Sequence, residues 1–267
     1  MAPIPVTVYY SPVSLASYML QYTLAIRGAP TNPEDEITIE EKEVDIHFKL
    51  EQLSEFYLLN VNPKGKVPAL TSPSPNIPSP LPDSLAITNL FAQRFPALKP
   101  PGYEAQIDDI LHRIHAPLPY FILSFGGGHP ADHVPKGFEP AIRALLEKGE
   151  VQGNGGYRRA LEGKLSLHTG TDLNTLFGPE SVRQAEKEMR RFLEYVDEKL
   201  PSTEGWLFGL ERPSAADAHV VALAVRLCDV GREGLLPEKV RGYVERARGT
   251  EEWRGVMGGL ETTMCQG

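Results

Sequence analysis

The sequence predicts two units in series, an α/β unit of about 95 residues followed by an all-helical unit. Three observations carry that expectation. Runs of β-branched and aromatic residues alternate with helical spacing as far as Phe95. The segment FPALKPPG, residues 95–102, then places three prolines and a glycine together, which is the composition of a boundary. Beyond it the strand signal nearly vanishes. The expected division is therefore 1–95, a linker at 96–102, and 103–267.

Each element has a local reason. Residues 4–10 (IPVTVYY) read as a first strand, broken by Pro12. Ser14 opens a helical stretch with apolar residues at Leu15, Tyr18, Met19, Tyr22, Ala25 and Ile26, stopped by Gly28 and Pro30. Residues 37–46 read as a strand with an acidic face, and 50–60 as a second helix. NPKGKVPAL, residues 62–70, ends in a short strand, and five prolines between 73 and 82 precede a third helix running from Ser84 to Phe95. In the second half, 103–125 begins helical and is split by Pro117 and Pro119. A glycine-rich stretch at 125–137 separates it from a helix at 138–148. Residues 149–180 read as loop-rich and inserted, 180–200 as an amphipathic helix, and another helix runs from near Ser214 to Asp229.

Composition narrows the classes. The 267 residues carry a formal net charge of −8 and a pI near 5.5, which argues against nucleic acid or an anionic membrane as partner. No run approaches the ~18 apolar residues of a membrane span. Met1-Ala-Pro-Ile-Pro has neither a basic flank nor an apolar core of a secretory signal, so the expectation is a cytoplasmic protein. Two cysteines make no disulfide framework; Cys228 reads as a buried thiol and Cys265 as part of a frayed tail. Of 24 prolines, 15 fall between Pro63 and Pro140, which argues against regular secondary structure across the middle.

Phosphate-loop and zinc-protease motifs are missing. His129 and His133 flank Asp132, but two imidazoles without a visible third ligand read as solvent-exposed loop residues, so no metal is expected there. His112 and His115 share a helix face, with packing or a surface position as the simplest role. The informative segment is Asn62-Pro-Lys-Gly-Lys-Val-Pro-Ala-Leu70. Gly65 fits the turn after a helix, and Pro68 at the head of a strand marks an edge or a special turn. A cis Val67–Pro68 bond there would offer the Val67 amide and carbonyl to a peptide in strand-like fashion. Asp83-Ser84 at a helix start suits a carboxylate, or simply caps its own helix. Pro213-Ser-Ala-Ala-Asp-Ala-His219 resembles a capping box and is read as structural.

Taken together, the strand–helix start, LEQLSEFYLLNVNPKGKVPAL, DSLAI and GWLFGLERPSAADAHV resemble the glutathione transferase superfamily, in a divergent, fungal-like form. The resemblance implies a thioredoxin-like N-terminal domain, an all-α C-terminal domain and a homodimer. It also implies glutathione as cosubstrate or cofactor, with Val67 pairing to its cysteinyl backbone beside a cis Pro68. Asp83 and Ser84 would hold the γ-glutamyl end, and Lys66 the glycyl end. The thiol-activating hydroxyl would be Ser14, Ser11 or Tyr10. With no cysteine before Cys228, the cysteine-type classes do not fit. The second substrate would be a hydrophobic electrophile, with Val13, His112, His115, Pro119, Tyr120 and Phe121 as candidate pocket residues. The long Pro-rich connection, the glycine-rich break and the 149–180 insertion depart from the usual pattern and suggest a specialised pocket. Three functions are carried forward: a transferase, a glutathione-dependent cis–trans olefin isomerase, and a non-catalytic binding protein.

Overall fold

The computed structural model describes residues 2–116, 118–125, 138–167, 169, 173–202, 204–259 and 261–262. The expectations about Pro117, the glycine-rich segment with His129, Asp132 and His133, and Cys265 lie outside them.

A four-stranded sheet forms the first layer. β1 (Ile4–Tyr10) runs parallel to β2 (Ile37–Glu43) and antiparallel to β3 (Ala69–Thr71), with β4 (Leu81–Pro82) beyond β3. α1 (Leu15–Ile26) and α2 (Glu55–Asn60) connect strands, and α3 (Ser84–Ala92) follows β4. The helical layer follows: α4 (Glu104–His115), α5 (Tyr120–Leu123), α6 (Phe138–Leu146), α7 (Gly149–Gly153) and α8 (Gly155–Ser166). It continues through α9 (Leu173–Leu176), α10 (Pro179–Lys199), α11 (Ala215–Asp229), α12 (Glu238–Arg248) and α13 (Glu251–Met257). α11 is buried on every side from Ala215 to Leu227, as its nearly continuous apolar sequence demands, and α1 packs along it. One core thus runs from Val6 and Val8 of the sheet through Met19 and Tyr22 to Val221 and Tyr243.

Several expectations need correcting. The second strand ends at Glu43, not 46. The helix expected over 50–60 is a 3-10 turn, Glu51–Leu53, followed by α2; Leu50 adopts φ +53, and extended Ser54 starts the chain afresh by capping Tyr57 N–H. Residues 149–180 are largely helical. Their glycines cost helix propensity at about 1 kcal/mol each. Against that, Asn154 caps α8 through Tyr157 N–H, and Tyr157 and Leu161 bury themselves against Leu53, Leu58, Ile142 and Val151. The described prolines between 63 and 140 do not prevent regular elements: α3 and α4 lie between them, Pro82 belongs to β4, and Pro140 sits in the first turn of α6, where its missing N–H costs no helix bond. Cys228 is half-buried, not fully enclosed.

Candidate active site

Three chain segments meet at one end of the sheet. The pairings Tyr9↔Ala69 and Ala69↔Pro82 bring the ends of β1, β3 and β4 together, and the flanking residues Ser11, Val67 and Ser84 follow from that edge.

The first segment is the turn Ser11–Ser14 between β1 and α1. Ser14 N-caps α1, its Oγ accepting the Ser17 N–H at 3.3 Å. Among the described residues its own hydroxyl proton has no acceptor, so it remains available to donate. Ser11 is 2% exposed, and its N–H donates to Ser17 Oγ at 3.2 Å. Tyr10 is half-buried; burial first, then the charges of Glu41 and Glu43, hold its phenol above the ordinary range, which makes it a poorer donor. The turn is pinned from outside: Tyr18 OH donates to Pro12 O at 2.6 Å, and Arg226 Nη2 of α11 donates to Val13 O at 2.9 Å.

Val67 and Pro68 form the second. The Val67–Pro68 bond is cis, and Gly65 has φ +54. A Cβ at Gly65 would lie 3.0 Å from Gln52 O, so both the backbone angle and the close approach call for glycine. Tyr57 OH and Asn62 Nδ2 both donate to Lys66 O at 2.8 Å. Val67's own N–H and C=O, by contrast, make no hydrogen bond among the described residues. An unpaired strand-edge peptide of this kind is a ready partner for another backbone. Lys66 is exposed and forms no ion pair among those residues.

The start of α3 is the third. Asp83 adopts φ +86 and N-caps the helix, Oδ1 accepting Leu85 N–H at 2.9 Å and Ala86 N–H at 3.1 Å. A non-glycine residue in that backbone region is the strained kind found where structure serves function. Asp83 N–H donates to Pro68 O at 3.3 Å, which ties this segment to the second. Ser84, 2% exposed, has neither its N–H nor its Oγ hydrogen-bonded among the described residues. A helix N-terminus with a free N–H and a free hydroxyl is suited to a carboxylate.

α5 walls the site. Tyr120 at its start and His115 at the end of α4 both feel the charge of Asp83, although burial dominates, raising the Tyr120 phenol and lowering the His115 imidazole. Pro119 N-caps α5 and is half-buried. At the far end Ser124 O accepts from Arg226 Nη1 at 3.3 Å, so one guanidinium joins α5 to the Val13 carbonyl. His115 and Tyr120 thus lie near enough to Asp83 to feel its charge, Val13 belongs to the Ser11–Ser14 turn, and Pro119 adjoins Tyr120 in the chain. Two pocket candidates do not join them. His112 is exposed beside Asp109, since α4 buries Ile107, Ile110, Leu111 and Ile114 and turns residue 112 outward. Phe121 is 50% exposed, its ring against Phe125 and Phe177.

Behind His115 runs a buried chain: Nε2 lies 2.8 Å from His219 Nδ1, and His219 Nε2 lies 3.0 Å from Thr88 Oγ1. Burial lowers both imidazoles, and the neighbouring ring lowers His219 further, so both are neutral at pH 7. Sequence reading missed His219, Arg226 and Lys164. An arginine inside the apolar run of α11 and a histidine in its first turns were the available signals.

No sequence-family profile matches the chain, and no curated protein matches it in sequence. The architecture, a small mixed sheet with helices followed by a helical layer built on α11, has the glutathione transferase fold. Glutathione transferase F7 from Populus trichocarpa superposes over 96% of this chain and 99% of its own, at TM-score 0.56 and 15% identity. A glutathione S-transferase from Xylella fastidiosa covers the same shares at TM-score 0.58 and 17% identity. A bacterial zeta-class maleyl pyruvate isomerase matches 94% of this chain and 95% of its own, at 0.54 and 16%. Among the described residues no helix is long and apolar enough to cross a membrane.

Proposed function

We propose that the chain is a member of the glutathione transferase superfamily and that it activates the thiol of glutathione for attack on a hydrophobic electrophile. The observation that carries this reading is the unpaired Val67 peptide beside the unpaired N–H and hydroxyl of Ser84. One offers strand pairing to a short peptide and the other a carboxylate site, the two kinds of contact that a γ-glutamyl tripeptide calls for. In this reading Asp83 takes the γ-glutamyl amine through its second carboxylate oxygen, Lys66 faces the glycyl end, and residues 1–95 form the glutathione-binding domain of a cytoplasmic homodimer.

Ser14 then donates its free proton to the sulfur, assisted by the N-terminus of α1. A thiol of pKa ~8.5 is only about 3% thiolate at pH 7. Lowering that pKa by ~2 units takes about 2.7 kcal/mol, within reach of one charge-assisted hydrogen bond plus the helix dipole. The thiolate fraction rises to about 75%, but lower basicity costs about eightfold in nucleophilicity with a Brønsted slope of ~0.45, so acidity alone nets about threefold. Positioning of the electrophile against α5 and Tyr120 supplies the remainder.

The test is calorimetric titration of the full chain with glutathione, then mass balance of glutathione during turnover. Binding together with stoichiometric consumption supports a transferase. Binding with turnover but no consumption would mean an isomerase, in which the thiolate adds reversibly to an olefin. No binding sinks the proposal.

A further inference from the structure

Helices α6, α7 and α8 do not pack only among themselves; they lie across the first unit where the chain turns toward Val67. Tyr157 OH donates to Leu53 O at 2.7 Å, Asn154 Nδ2 to Glu55 Oε1 at 2.6 Å, and the apolar faces of α6 and α8 close over Leu53 and Leu58. From α8, Lys164 reaches further than either. It is 4% exposed, and Nζ donates to Gly65 O at 2.8 Å. Its Cε would lie 3.3 Å from a Cβ at Gly65, so the lysine stem fills the space that the glycine leaves. Among the described residues Lys164 has no carboxylate partner, and the nearest charge acting on it is another cation, Lys66. Burial, with Lys66 second, draws its ammonium down to about 8. The ammonium also stands 5.8 Å from the centre of the Phe138 ring of α6, but its one hydrogen bond goes to the Gly65 carbonyl, which an ammonium enclosed at such cost holds in place.

Gly65 O is two residues before the unpaired Val67 peptide. The carbonyl of the residue between them, Lys66, is already held by Tyr57 and Asn62. Lys164 completes a three-sided grip on the turn, and this third side comes from the helical unit.

We infer that α6–α8 form a strap whose Lys164 is a positioning residue, setting the Val67 edge for the incoming tripeptide. This deepens the glutathione reading and rests on it. Lys164 acts through the turn, without touching the reacting sulfur.

The test compares glutathione affinity, measured by calorimetry on the full chain, with melting temperature in three proteins. Lys164→Met removes the donor and keeps the stem; Tyr157→Phe loosens the same strap at Leu53 without touching the turn. The expected result is glutathione affinity about tenfold weaker in Lys164→Met. Tyr157→Phe should lose stability yet bind within about twofold of wild type, since it loses one neutral hydrogen bond remote from the turn. Wild-type affinity in Lys164→Met overturns the inference, and so does weakening of both variants in proportion to their lost stability. If Lys164→Met does not fold, Lys164→Gln, which keeps a shorter donor, is read by the same comparison. A wild-type chain that does not bind glutathione overturns the underlying reading, and the inference with it, before any variant is compared.

Discussion

At the scale of single residues, the site is a matter of which polar groups have been left without partners. Ser14 spends its oxygen on the Ser17 N–H and keeps its proton, whereas Ser11 is enclosed and Tyr10 has a phenol that burial and two glutamates hold up. The expected signature of Ser14→Ala is therefore a pH-dependent loss. With the thiol returned from ~6.5 to ~8.5, kcat/KM should fall about ninefold at pH 6 and about threefold at pH 7, and the deficit should be gone by about pH 8. A pH–rate profile on both proteins checks it, and a deficit that does not change with pH would remove Ser14 from the role of activator. Gly65 is a second point where one residue type is required. In Gly65→Ala the methyl would meet Gln52 O at 3.0 Å with φ held at +54. A loss of about 1–3 kcal/mol in chemical denaturation is expected, together with weaker glutathione binding because the turn must shift. These residues were legible in the sequence because turn glycines, a proline heading a strand and helix-capping serines have local physical signatures. Lys164 was not legible: a lysine in α8 reads as solvated until the fold shows what lies against it.

At the scale of elements, α11 and its neighbours decide how the two layers are joined. Asp217, fully buried, accepts from Ser214 N–H and Oγ, from Leu207 N–H and from Tyr243 OH. The sequence identified this capping box and assigned it a structural role. Asp217→Ala orphans four donors at once, and a loss of about 3 kcal/mol or more is expected in denaturant unfolding. The His115–His219–Thr88 chain joins α4, α11 and α3, and burial disfavours the charged form of both rings. Both imidazoles have folded values below the unfolded one, so below about pH 6.5 the unfolded chain binds more protons. Stability is thus full above that pH and falls as pH drops toward the folded values. Melting temperature should decline as pH falls below about 6.5, and less steeply in His219→Gln; equal slopes would show that the pair is not the cause. Contacts of this kind, 104 and 131 residues apart in the chain, leave no trace in local periodicity. The same holds for α7 and α8, whose glycines suggested loop until burial against Leu53 and Leu58 outweighed propensity.

At the scale of the whole molecule, the helical unit reaches into the thioredoxin-like one at both ends of the candidate site, through Lys164 at Gly65 O and Arg226 at Val13 O. Lys164 also imposes a pH term of its own. Its folded value of about 8 lies below the unfolded value, so between about pH 8 and 10 the unfolded chain holds more protons and stability rises with pH. Subtracting the stability–pH curve of Lys164→Met from that of wild type should isolate this rise; a flat difference would mean that Lys164 is not shifted. The order of the two units, the strand sequence of the first and the long helices of the second were readable from periodicity and proline placement. How one unit grips the other was not, because it depends on charged side chains meeting backbone carbonyls far away in sequence.

Arg226 also donates to Thr262 Oγ1 at 3.0 Å and to the Thr262 carbonyl, and Thr262 is held in turn by Asp229. The turn before Ser14 is therefore fastened through an arginine that is itself seated by a residue almost 250 positions further along the chain. Thr262→Ala should therefore loosen the Val13 turn and speed its amide hydrogen exchange, although the two residues lie in distant parts of the sequence.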